Sequence, residues 1–312
     1  MTASLRLETC LLGIILGDSL GLPTEGLSSS RASKLFPGAL RQRMAFGRGV
    51  LSDDSIMAVA TLQALYACPD DPQGFSIELG RRLRRWFWTM PPGIGLATLK
   101  ACVRLTVGFS ANRSGVNSAG NGPAIRAVVL GCALASDPEK RTAFIDASTR
   151  VTHTHRVAIC GSQLAGLAAA LSATKKEGRF RCEASQVCPA WAWEVAYPES
   201  GPSGYMLHTI NAAIQCWQLH PFDLASAIRL AISLGGDTDS VAALVGGIVA
   251  AGNGNFFVPN GWYAWLGWPR RQDLLGIAAG VDTKMPLNLV LSNLLTLCLV
   301  LLHVFRRMLP PY

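Results

Sequence analysis

The feature that most constrains this chain is the hexapeptide GGDTDS at residues 235–240, which runs directly into an apolar segment at residues 241–251. The larger apolar side chains of that segment recur at the spacing of one helix face: Val241, Leu244, Val245 and Ile248. The two glycines allow a sharp turn before two aspartates and a serine, which are more than one helix N-cap requires. Because like charges this close repel unless a cation or protons neutralise them, the stretch predicts a site for a hard divalent cation. Simple helix capping is the alternative.

Composition and charge limit the classes of protein to which the chain can belong. Half of its 312 residues are hydrophobic and 15% are charged, which is enough for a sizeable buried core. The formal net charge of +8 favours anionic partners such as phosphates or acidic surfaces. The nine cysteines show neither a CxxC pair nor metal-type spacing, and the apolar run at residues 10–16 has no secretory cleavage pattern. These features predict a cytoplasmic protein with buried, reduced thiols.

Polar or glycine-rich loops alternate with apolar helical segments along the chain. A first helix is predicted over residues 9–16, followed by a turn-rich loop over residues 17–26. Similar junctions between a polar loop and a helix recur at residues 17–25, 52–54, 120–122, 153 and 235–240. Because strand-like alternation is scarce, the sequence predicts an all-α fold. We expect one domain over residues 1–312, in which these junctions line a single cleft.

Two further segments bear on partners. The C-terminal segment predicts an apolar helix over about residues 286–305, and its polar side chains favour a buried or docking helix over a membrane span. Arg306 and Arg307 beyond it fit a membrane anchor, which is the less favoured alternative. The basic run at residues 81–85, followed by Trp86, predicts a solvated helix face rather than a nucleic-acid interface.

Two of the junctions are acidic and complement each other. Together they supply four carboxylates and two hydroxyls: Ser52, Asp53, Asp54, Asp237, Asp239 and Ser240. Such a set suits one or two Mg²⁺ or Mn²⁺ ions whose coordination water completes. An EF-hand is excluded because the twelfth position counted from Asp237 is Ile248, which is not an acid. Two metal ions in a cleft can orient a phosphate or polyhydroxyl ligand and activate water, so phosphoester and glycosidic hydrolysis both stay open.

At these residues the sequence resembles the ADP-ribosylglycohydrolase family, the group of the dinitrogenase-reductase-activating glycohydrolase. The similar segments are GDSLGLPTEG (17–26), LSDDS (51–55), GNGPAIR (120–126), THTH (152–155), SGYMLHT (203–209) and GGDTDS (235–240). They occur in the family's order and span nearly the whole chain. The resemblance implies an all-α, compact orthogonal helix bundle with two divalent cations, Mg²⁺ or Mn²⁺, in a cleft.

The resemblance also implies roles for individual residues. The six acids and hydroxyls named above match metal-ligand positions. Glu25 matches a loop acid near the reacting sugar, and His153 matches a histidine that contacts substrate. Two loops match regions that lie against the ribose and the diphosphate: Gly120, Asn121 and Gly122, and Ser203, Gly204 and Tyr205. Asp54, with Glu25 as the alternative, is the predicted catalytic carboxylate that orients or deprotonates the attacking water.

The function implied by the resemblance is metal-dependent hydrolysis that releases ADP-ribose from a modified protein side chain, with arginine favoured, or from a small ADP-ribosyl compound. Three alternatives stay open. The same scaffold can serve a catalytically silent binder or structural protein, a metal-dependent phosphoesterase, or an immunity protein against an ADP-ribosyltransferase toxin. Retention of all six metal-ligand positions favours the enzyme, and an ADP-ribosylated protein is the expected partner.

Overall fold

The computed structural model describes residues 2–283 and 289–307, and these residues form α-helices joined by loops. In chain order the helices are α1 (Ala3–Gly21), α2 (Ser29–Leu35), α3 (Asp53–Ala67), α4 (Pro72–Phe87), α5 (Leu96–Thr106), α6 (Ala111–Ser114), α7 (Gly122–Ala133), α8 (Pro138–Arg150), α9 (Arg156–Ala173), α10 (Phe180–Val187), α11 (Met206–Leu219), α12 (Leu224–Ser233), α13 (Thr238–Gly252), α14 (Arg271–Ala278) and α15 (Leu289–Arg307). Short 3₁₀ turns lie at Leu22–Thr24, Glu177–Arg179 and Asn260–Tyr263, and strands β1 (Gly49–Val50) and β2 (Trp265–Leu266) pair in parallel. The all-α prediction is confirmed.

Helix α13 lies at the centre of the core and is buried along nearly its whole length. Its principal neighbour is α1, and the two backbones approach each other very closely. At Gly17 a Cβ atom would lie 2.0 Å from the carbonyl oxygen of Ala242, so no larger residue fits there. The small residues of α13 therefore allow α1 to pack closely against it, as their size predicts.

Helix α1 is longer than predicted. The sequence indicated a helix over residues 9–16 and a loop over residues 17–26, but the helix continues to Gly21 and only residues 22–26 form turns. Gly17 and Gly21 serve close packing against α13, and only Gly26, with a φ of 73°, serves a turn, so glycine content led to the wrong boundary. As a result, Asp18 lies on a rigid, buried helix.

Helix α9 has the length and composition of a membrane-spanning helix. Among the described residues it alone is long and apolar enough to cross a membrane, yet 72% of its apolar window is buried inside the fold. It packs against α7 and α13. The apolar composition of α9 is therefore accounted for by its place in the core.

The cysteines depart from expectation at one place. Cys160 on α9 and Cys188, directly after α10, form a disulfide, so the prediction of reduced thiols is wrong for this pair. The local sequence does not predict this disulfide, because 28 residues separate the two cysteines and neither belongs to a CxxC motif. The free cysteines among the described residues include buried ones such as Cys10 and exposed ones such as Cys182.

Helix α15 corresponds to the predicted C-terminal helix, although residues 286–288 of the predicted range lie outside the described residues. It docks on the fold through polar side chains. The amide of Asn293 donates to the carbonyl oxygen of Thr89 at 2.9 Å, and Nε2 of His303 lies 2.8 Å from the carbonyl oxygen of Pro23. The helix therefore docks as expected, but with polar groups facing the protein.

Candidate functional site

A buried aspartate holds the first acidic junction in place. Ser52 caps α3, and its hydroxyl accepts a hydrogen bond from the amide of Asp54 at 3.2 Å. The buried carboxylate of Asp18 accepts from the amides of Ser52 at 3.0 Å and Ser55 at 3.3 Å, and from the Ser55 hydroxyl. Burial raises the pKa of Asp18 to about 6, although these hydrogen bonds oppose the shift. Asp18 therefore positions the start of α3 and, with it, Asp53 and Asp54.

The second acidic junction is a backbone turn that requires glycine. Gly235 and Gly236 have φ values of 75° and 71°, and a Cβ atom on Gly236 would lie 2.0 Å from the carbonyl oxygen of Pro202. The amide of Gly236 donates to the carbonyl of Leu27 at 2.8 Å, and the amide of Asp237 donates to that of Pro202 at 2.7 Å. The turn thereby joins two other loops beside Asp237, at the N-terminus of α13.

Three carboxylates meet beside this turn. One oxygen each from Glu25, Asp237 and Asp239 lies within 4.8 Å of the other two. Asp239 is only 5% exposed, and its Oδ1 has no hydrogen-bond partner among the described residues. Glu25 is exposed to the cleft, although protein surrounds its carboxylate enough for desolvation to raise its pKa. Desolvation also raises the pKa of Asp237, and desolvation followed by repulsion from Glu25 raises that of Asp239 well above its usual range.

Asp53 and Asp54 line the same cleft from the first junction. Burial, followed by the charge of Asp18, raises the pKa of Asp53 to about 7. Desolvation, then repulsion from Asp53, raises the pKa of Asp54 well above its usual range, while a hydrogen bond with Ser240 opposes the shift. Repulsion from Asp237 also raises the pKa of Asp54. The two acidic junctions therefore lie within electrostatic reach of each other.

The loop before α7 is tied to the second acidic junction through Asn121. The side-chain amide of Asn121 donates to Oδ2 of Asp237 at 2.6 Å and to the hydroxyl of Thr209 at 2.9 Å. Its backbone amide donates to the carbonyl of Gly204 at 3.0 Å. The two loops predicted to bind substrate are therefore neighbours, and Asn121 connects them to a predicted metal ligand.

His153 is buried against the glycine loop at residues 120–122. Its Nδ1 lies 2.8 Å from the hydroxyl of Thr152, which accepts a hydrogen bond from Arg126 at 2.6 Å. Because this hydroxyl accepts from Arg126, its own proton is available to Nδ1, which leaves the ring proton on Nε2. Burial, followed by the charge of Arg126, lowers the pKa of His153 to about 3. The neutral ring presents Nε2 to the loop, 3.2 Å from where a Cβ atom of Gly120 would lie.

The loop before α11 contributes Ser203 and Gly204 to the cleft. The Ser203 hydroxyl lies 2.9 Å from Nδ1 of His208, and the ring of Tyr205 packs edge-on against His208 with centroids 5.2 Å apart. Tyr205 is 37% exposed and does not belong to the cleft wall. The backbone of Tyr205 nevertheless forms a bridge with Gly120, so Tyr205 lies beside the other predicted substrate-binding residues while its ring packs against His208.

All these junctions line one open cleft of about 590 Å³, a size suited to a nucleotide-like ligand. The predicted site residues in its wall are Glu25, Ser52, Asp53, Asp54, Gly120, Asn121, Gly122, His153, Ser203, Gly204, Asp237, Asp239 and Ser240. Helix α15 closes one side of the cleft with Thr296 and Val300. At the end of that helix, the guanidinium of Arg307 donates to the backbone carbonyl of Glu25.

Three residues that sequence reasoning did not single out support the site. Asp18 fixes the start of α3, Arg126 fixes the hydroxyl that holds His153, and Thr209 holds Asn121. All three are polar residues inside otherwise apolar helical segments, and that contrast was the available signal. Their partners lie far away in sequence or on another element, so the contrast alone could not indicate what each one holds.

The chemistry of the cleft fits hard divalent cations. Its acidic donors are all oxygens, and the unpartnered, buried Oδ1 of Asp239 is an acceptor that a cation would satisfy. The raised pKa values show that these carboxylates resist carrying negative charge together without a counterion. Geometry brings Glu25 into the tightest oxygen triad, whereas the Ser52 hydroxyl serves as an N-cap. The individual ligand assignments remain predictions.

Comparisons with known proteins agree on one family. The sequence profile described as ADP-ribosylglycohydrolase matches residues 2–288. A protein of Archaeoglobus fulgidus described as uncharacterised is 28% identical, with 84% of this chain and 91% of that protein covered. The ADP-ribosyl-(dinitrogen reductase) glycohydrolase of Rhodospirillum rubrum is 23% identical, with 87% of this chain and 95% of that protein covered. A solved structure described as an ADP-ribosylglycohydrolase-related protein complex matches with a TM-score of 0.68 at 25% identity, covering 89% of this chain and 97% of that chain. The predicted type of helix bundle is thereby confirmed.

Proposed function

Because this chain belongs to the ADP-ribosylglycohydrolase family, we propose that it is a metal-dependent hydrolase that removes ADP-ribose from a modified protein side chain, with arginine as the preferred linkage. The observation that carries the proposal is the meeting of the acidic junctions and the glycine-rich loops in one cleft. Carboxylates without a ligand to neutralise them are costly, and the glycine loops offer backbone to a nucleotide. A cleft that combines clustered carboxylates with glycine-rich loops suits an anionic sugar nucleotide held beside cations.

Binding of the ADP-ribosyl group falls to the glycine loop and its neighbours. Gly120 and Gly122 have no side chains, so the ribose and diphosphate can approach the backbone closely. The first turn of α7 follows directly; Pro123 has no amide hydrogen and the amide of Ala124 donates to the carbonyl of Asn121, so the amide of Gly122 is the donor that suits a phosphate oxygen. His153 supplies a neutral Nε2–H donor beside this loop, and Ser203 supplies a hydroxyl from the facing loop. These groups bind an anion without adding a titrating charge.

The residues that would hold two divalent cations are the acidic and hydroxyl groups of the two junctions: Ser52, Asp53, Asp54, Asp237, Asp239 and Ser240, with Glu25 alongside. When bound, such cations orient the distal ribose hydroxyls and a water molecule and stabilise developing negative charge. Asn121 keeps Asp237 in position through its 2.6 Å hydrogen bond. Asp18 keeps the start of α3 in position through its hydrogen bonds with the amides of Ser52 and Ser55.

The bond that breaks joins C1″ of the ribose to the side-chain nitrogen, through an oxocarbenium-like transition state. Water adds its hydroxyl to C1″, and a carboxylate takes its proton and returns it to the leaving nitrogen. Asp54 is the base favoured by sequence, but it is only 6% exposed. Glu25 is open to the cleft and better able to reach the water. We therefore assign the proton transfer to Glu25 and the anchoring role to Asp54.

The acidic groups around the guanidinium of Arg307 support a preference for an arginine linkage. The guanidinium of Arg307 from α15 already donates to the backbone of Glu25. Attraction to Glu25 and Asp239 opposes the desolvation that lowers its pKa. The same acidic surroundings would stabilise the guanidinium of a substrate arginine. A serine oxygen would gain nothing from them.

The test is release of ADP-ribose from ADP-ribosyl-arginine and ADP-ribosyl-serine peptides, with Mg²⁺, with Mn²⁺ and with EDTA. Asp237→Asn removes one carboxylate charge from the cluster. Asp70→Asn is the matched control, since Asp70 is 85% exposed and pairs only with Lys140 on the surface. We expect metal-dependent release of free ADP-ribose from the arginine peptide, lost by at least about 100-fold in Asp237→Asn and kept in Asp70→Asn.

The products distinguish the competing functions. AMP in place of ADP-ribose would identify a phosphoesterase and refute glycosidic cleavage. ADP-ribose binding without release from either peptide would refute the hydrolase and favour a silent binder. Faster release from the serine peptide would refute the preferred linkage alone.

A further inference from the structure

Helix α15 has an unusual distribution of side chains. The residues that face the protein are mostly polar: Leu289, Ser292, Asn293, Thr296, Leu299, Val300, His303 and Arg307. The described side chains that face outward are apolar: Val290, Leu291, Leu294, Leu295, Leu297, Cys298, Leu301, Leu302, Val304 and Phe305. A helix that served only to cover the fold would turn its apolar stripe inward. The outward stripe therefore indicates an apolar surface that lies outside the chain.

The exposure of this stripe is large. Leu291 is 60% exposed, Leu302 66% and Phe305 63%. An apolar patch of this extent marks an interaction site with another molecule or a membrane. The stripe also lies beyond residue 288, where the match to the family profile ends, so it falls outside the part of the chain that defines the family.

Charge around the helix identifies the chemistry of the partner. From residue 284 to residue 312 the sequence contains Lys284, Arg306 and Arg307 but no Asp or Glu. The whole chain carries a formal net charge of +8. The outward stripe is thus apolar, and the only charges in its segment are positive.

The neighbouring surface of α4 continues the same pattern. Asn293 of α15 binds Thr89, which lies between two exposed apolar residues, Trp88 at 65% and Met90 at 56%. Arg84 and Arg85 lie exposed in the last turn of α4, whereas Arg81 and Arg82 nearby pair with Glu78. Tryptophan and arginine beside an apolar stripe are typical of a segment that lies in the interface of a membrane.

We propose that the outward face of α15 binds the surface of an anionic lipid bilayer, with the helix lying in the plane of the interface. The polar face of the helix is engaged by the protein through Asn293 and His303, so the helix lies along the surface rather than across the bilayer. A second copy of this chain would bring two strongly positive molecules together, whereas anionic headgroups neutralise that charge. Because Thr296 and Val300 line the cleft and Arg307 donates to the backbone of Glu25, this contact would hold the cleft mouth at the membrane surface.

The test is flotation of the full chain with vesicles of phosphatidylcholine, with and without phosphatidylglycerol. Leu295→Gln removes one outward side chain that is 59% exposed, and Leu219→Gln is its matched control at 60% exposed, at the end of α11. A Leu295→Gln and Leu302→Gln double variant strengthens the effect. An Arg84→Gln and Arg85→Gln double variant tests the charge.

We expect the protein to float with vesicles that contain phosphatidylglycerol and to bind pure phosphatidylcholine about tenfold more weakly. The double leucine variant should lose about tenfold or more in apparent affinity, and the double arginine variant should become less sensitive to the anionic lipid. Leu219→Gln should bind like the parent protein. Thermal melting checks that each variant is folded, which solvent-exposed substitutions should allow.

Two results would overturn the proposal. One is a parent protein that does not float, or that loses as much binding through Leu219→Gln as through Leu295→Gln. The other is a concentration-dependent dimer, measured by sedimentation, that Leu295→Gln dissociates without any change in flotation. The second result would assign the stripe to another copy of the chain. Neither measurement depends on hydrolase activity.

Discussion

At the scale of single residues, the tautomer of His153 depends on Thr152, and its charge state depends on burial and on Arg126. Its buried hydroxyl accepts from Arg126 and lies 2.8 Å from Nδ1 of His153. Burial, with the charge of Arg126, lowers the pKa of His153 to about 3. A lowered pKa favours the neutral ring in the folded protein, so protonation of His153 begins only well below neutral pH. The ring therefore serves as a hydrogen-bond donor rather than as an acid or base.

We expect His153 to remain a neutral Nε2–H tautomer from about pH 8 down to about pH 5. The measurement is the ¹⁵N spectrum of the histidine-labelled protein, with His153→Gln to assign its signals. In Thr152→Val the two ring nitrogens should begin to exchange the proton, and the affinity for ADP-ribose should fall about three- to tenfold. A titration of His153 near pH 6 would contradict this account of the site.

Glu25 and Asp54 differ in exposure, and that difference predicts different kinetic effects. In Glu25→Gln, kcat should fall by about 10²–10⁴ because the open carboxylate that takes the proton is lost. The apparent metal affinity should change less than about tenfold, since the amide keeps an oxygen ligand. In Asp54→Asn, metal affinity should fall most, because a buried charge is removed from the cluster. Full rescue of Glu25→Gln by saturating metal would show that Glu25 is a ligand and not the base.

At the scale of helices, the contact between α1 and α13 is the most sensitive point of the core. Gly17→Ala would place a methyl group 2.0 Å from the carbonyl oxygen of Ala242, so the two helices must separate. We expect the free energy of unfolding to fall by about 3 kcal/mol or more. Gly178→Ala is the control, because Gly178 lies in open space on a surface turn. Its unfolding free energy should change by less than about 1 kcal/mol. Urea unfolding of both variants is the measurement, and equal effects would contradict the packing argument.

The same contact shows what sequence can and cannot predict about the fold. Apolar spacing and small residues predict α13 as a buried helix with a close neighbour, because both signals are local. The end of α1 was predicted wrongly because glycine occurs both in turns and where two helices pack closely. The sequence around Gly17 does not distinguish these two uses. The sequence also did not predict which face of α15 lies outward, since an apolar stripe looks the same whether it faces the core or another surface. The pairing of Cys160 with Cys188 depends on tertiary structure alone.

For the site, as for the fold, the sequence predicted the features that depend on local signals and missed those that depend on tertiary contacts. The acidic residues of both junctions were predicted to meet, because a loop that ends at a helix start exposes its polar groups, and the structure brings these residues into one cleft. The support from Asp18 and Arg126 could not be predicted, since each holds a partner on a different element. Tyr205 was grouped with Ser203 and Gly204 because all three match one loop of the family resemblance. Its backbone bridges to Gly120, but its ring packs against His208 and Tyr205 does not belong to the cleft wall.

At the scale of the whole molecule, the buried carboxylates link stability to pH and to metal. Burial raises the pKa of Asp18 from 3.8 to about 6 and that of Asp53 from 3.8 to about 7. Raised values mean that the folded protein binds protons that the unfolded chain has released. The stability contributed by these protons is therefore fully present below about pH 4 and is lost as pH rises through about 6 and 7. The pKa values of Asp54, Asp237 and Asp239 are raised in the same direction.

We therefore expect the metal-free protein in EDTA to be less stable at pH 7.5 than at pH 5.5, with a Tm lower by on the order of 5 °C. Mg²⁺ or Mn²⁺ should recover that loss at pH 7.5, because a cation that binds only the folded state adds to its stability. The same metal should have a smaller effect at pH 5.5, where protons compete with it for the carboxylates. In a variant with both Asp237→Asn and Asp239→Asn, the pH dependence and the metal effect should shrink together, since the same charges cause both. A metal-free protein that melts higher at pH 7.5 than at pH 5.5 would show that these carboxylates are already neutralised by groups of the chain itself, and the cation site would lose its physical basis.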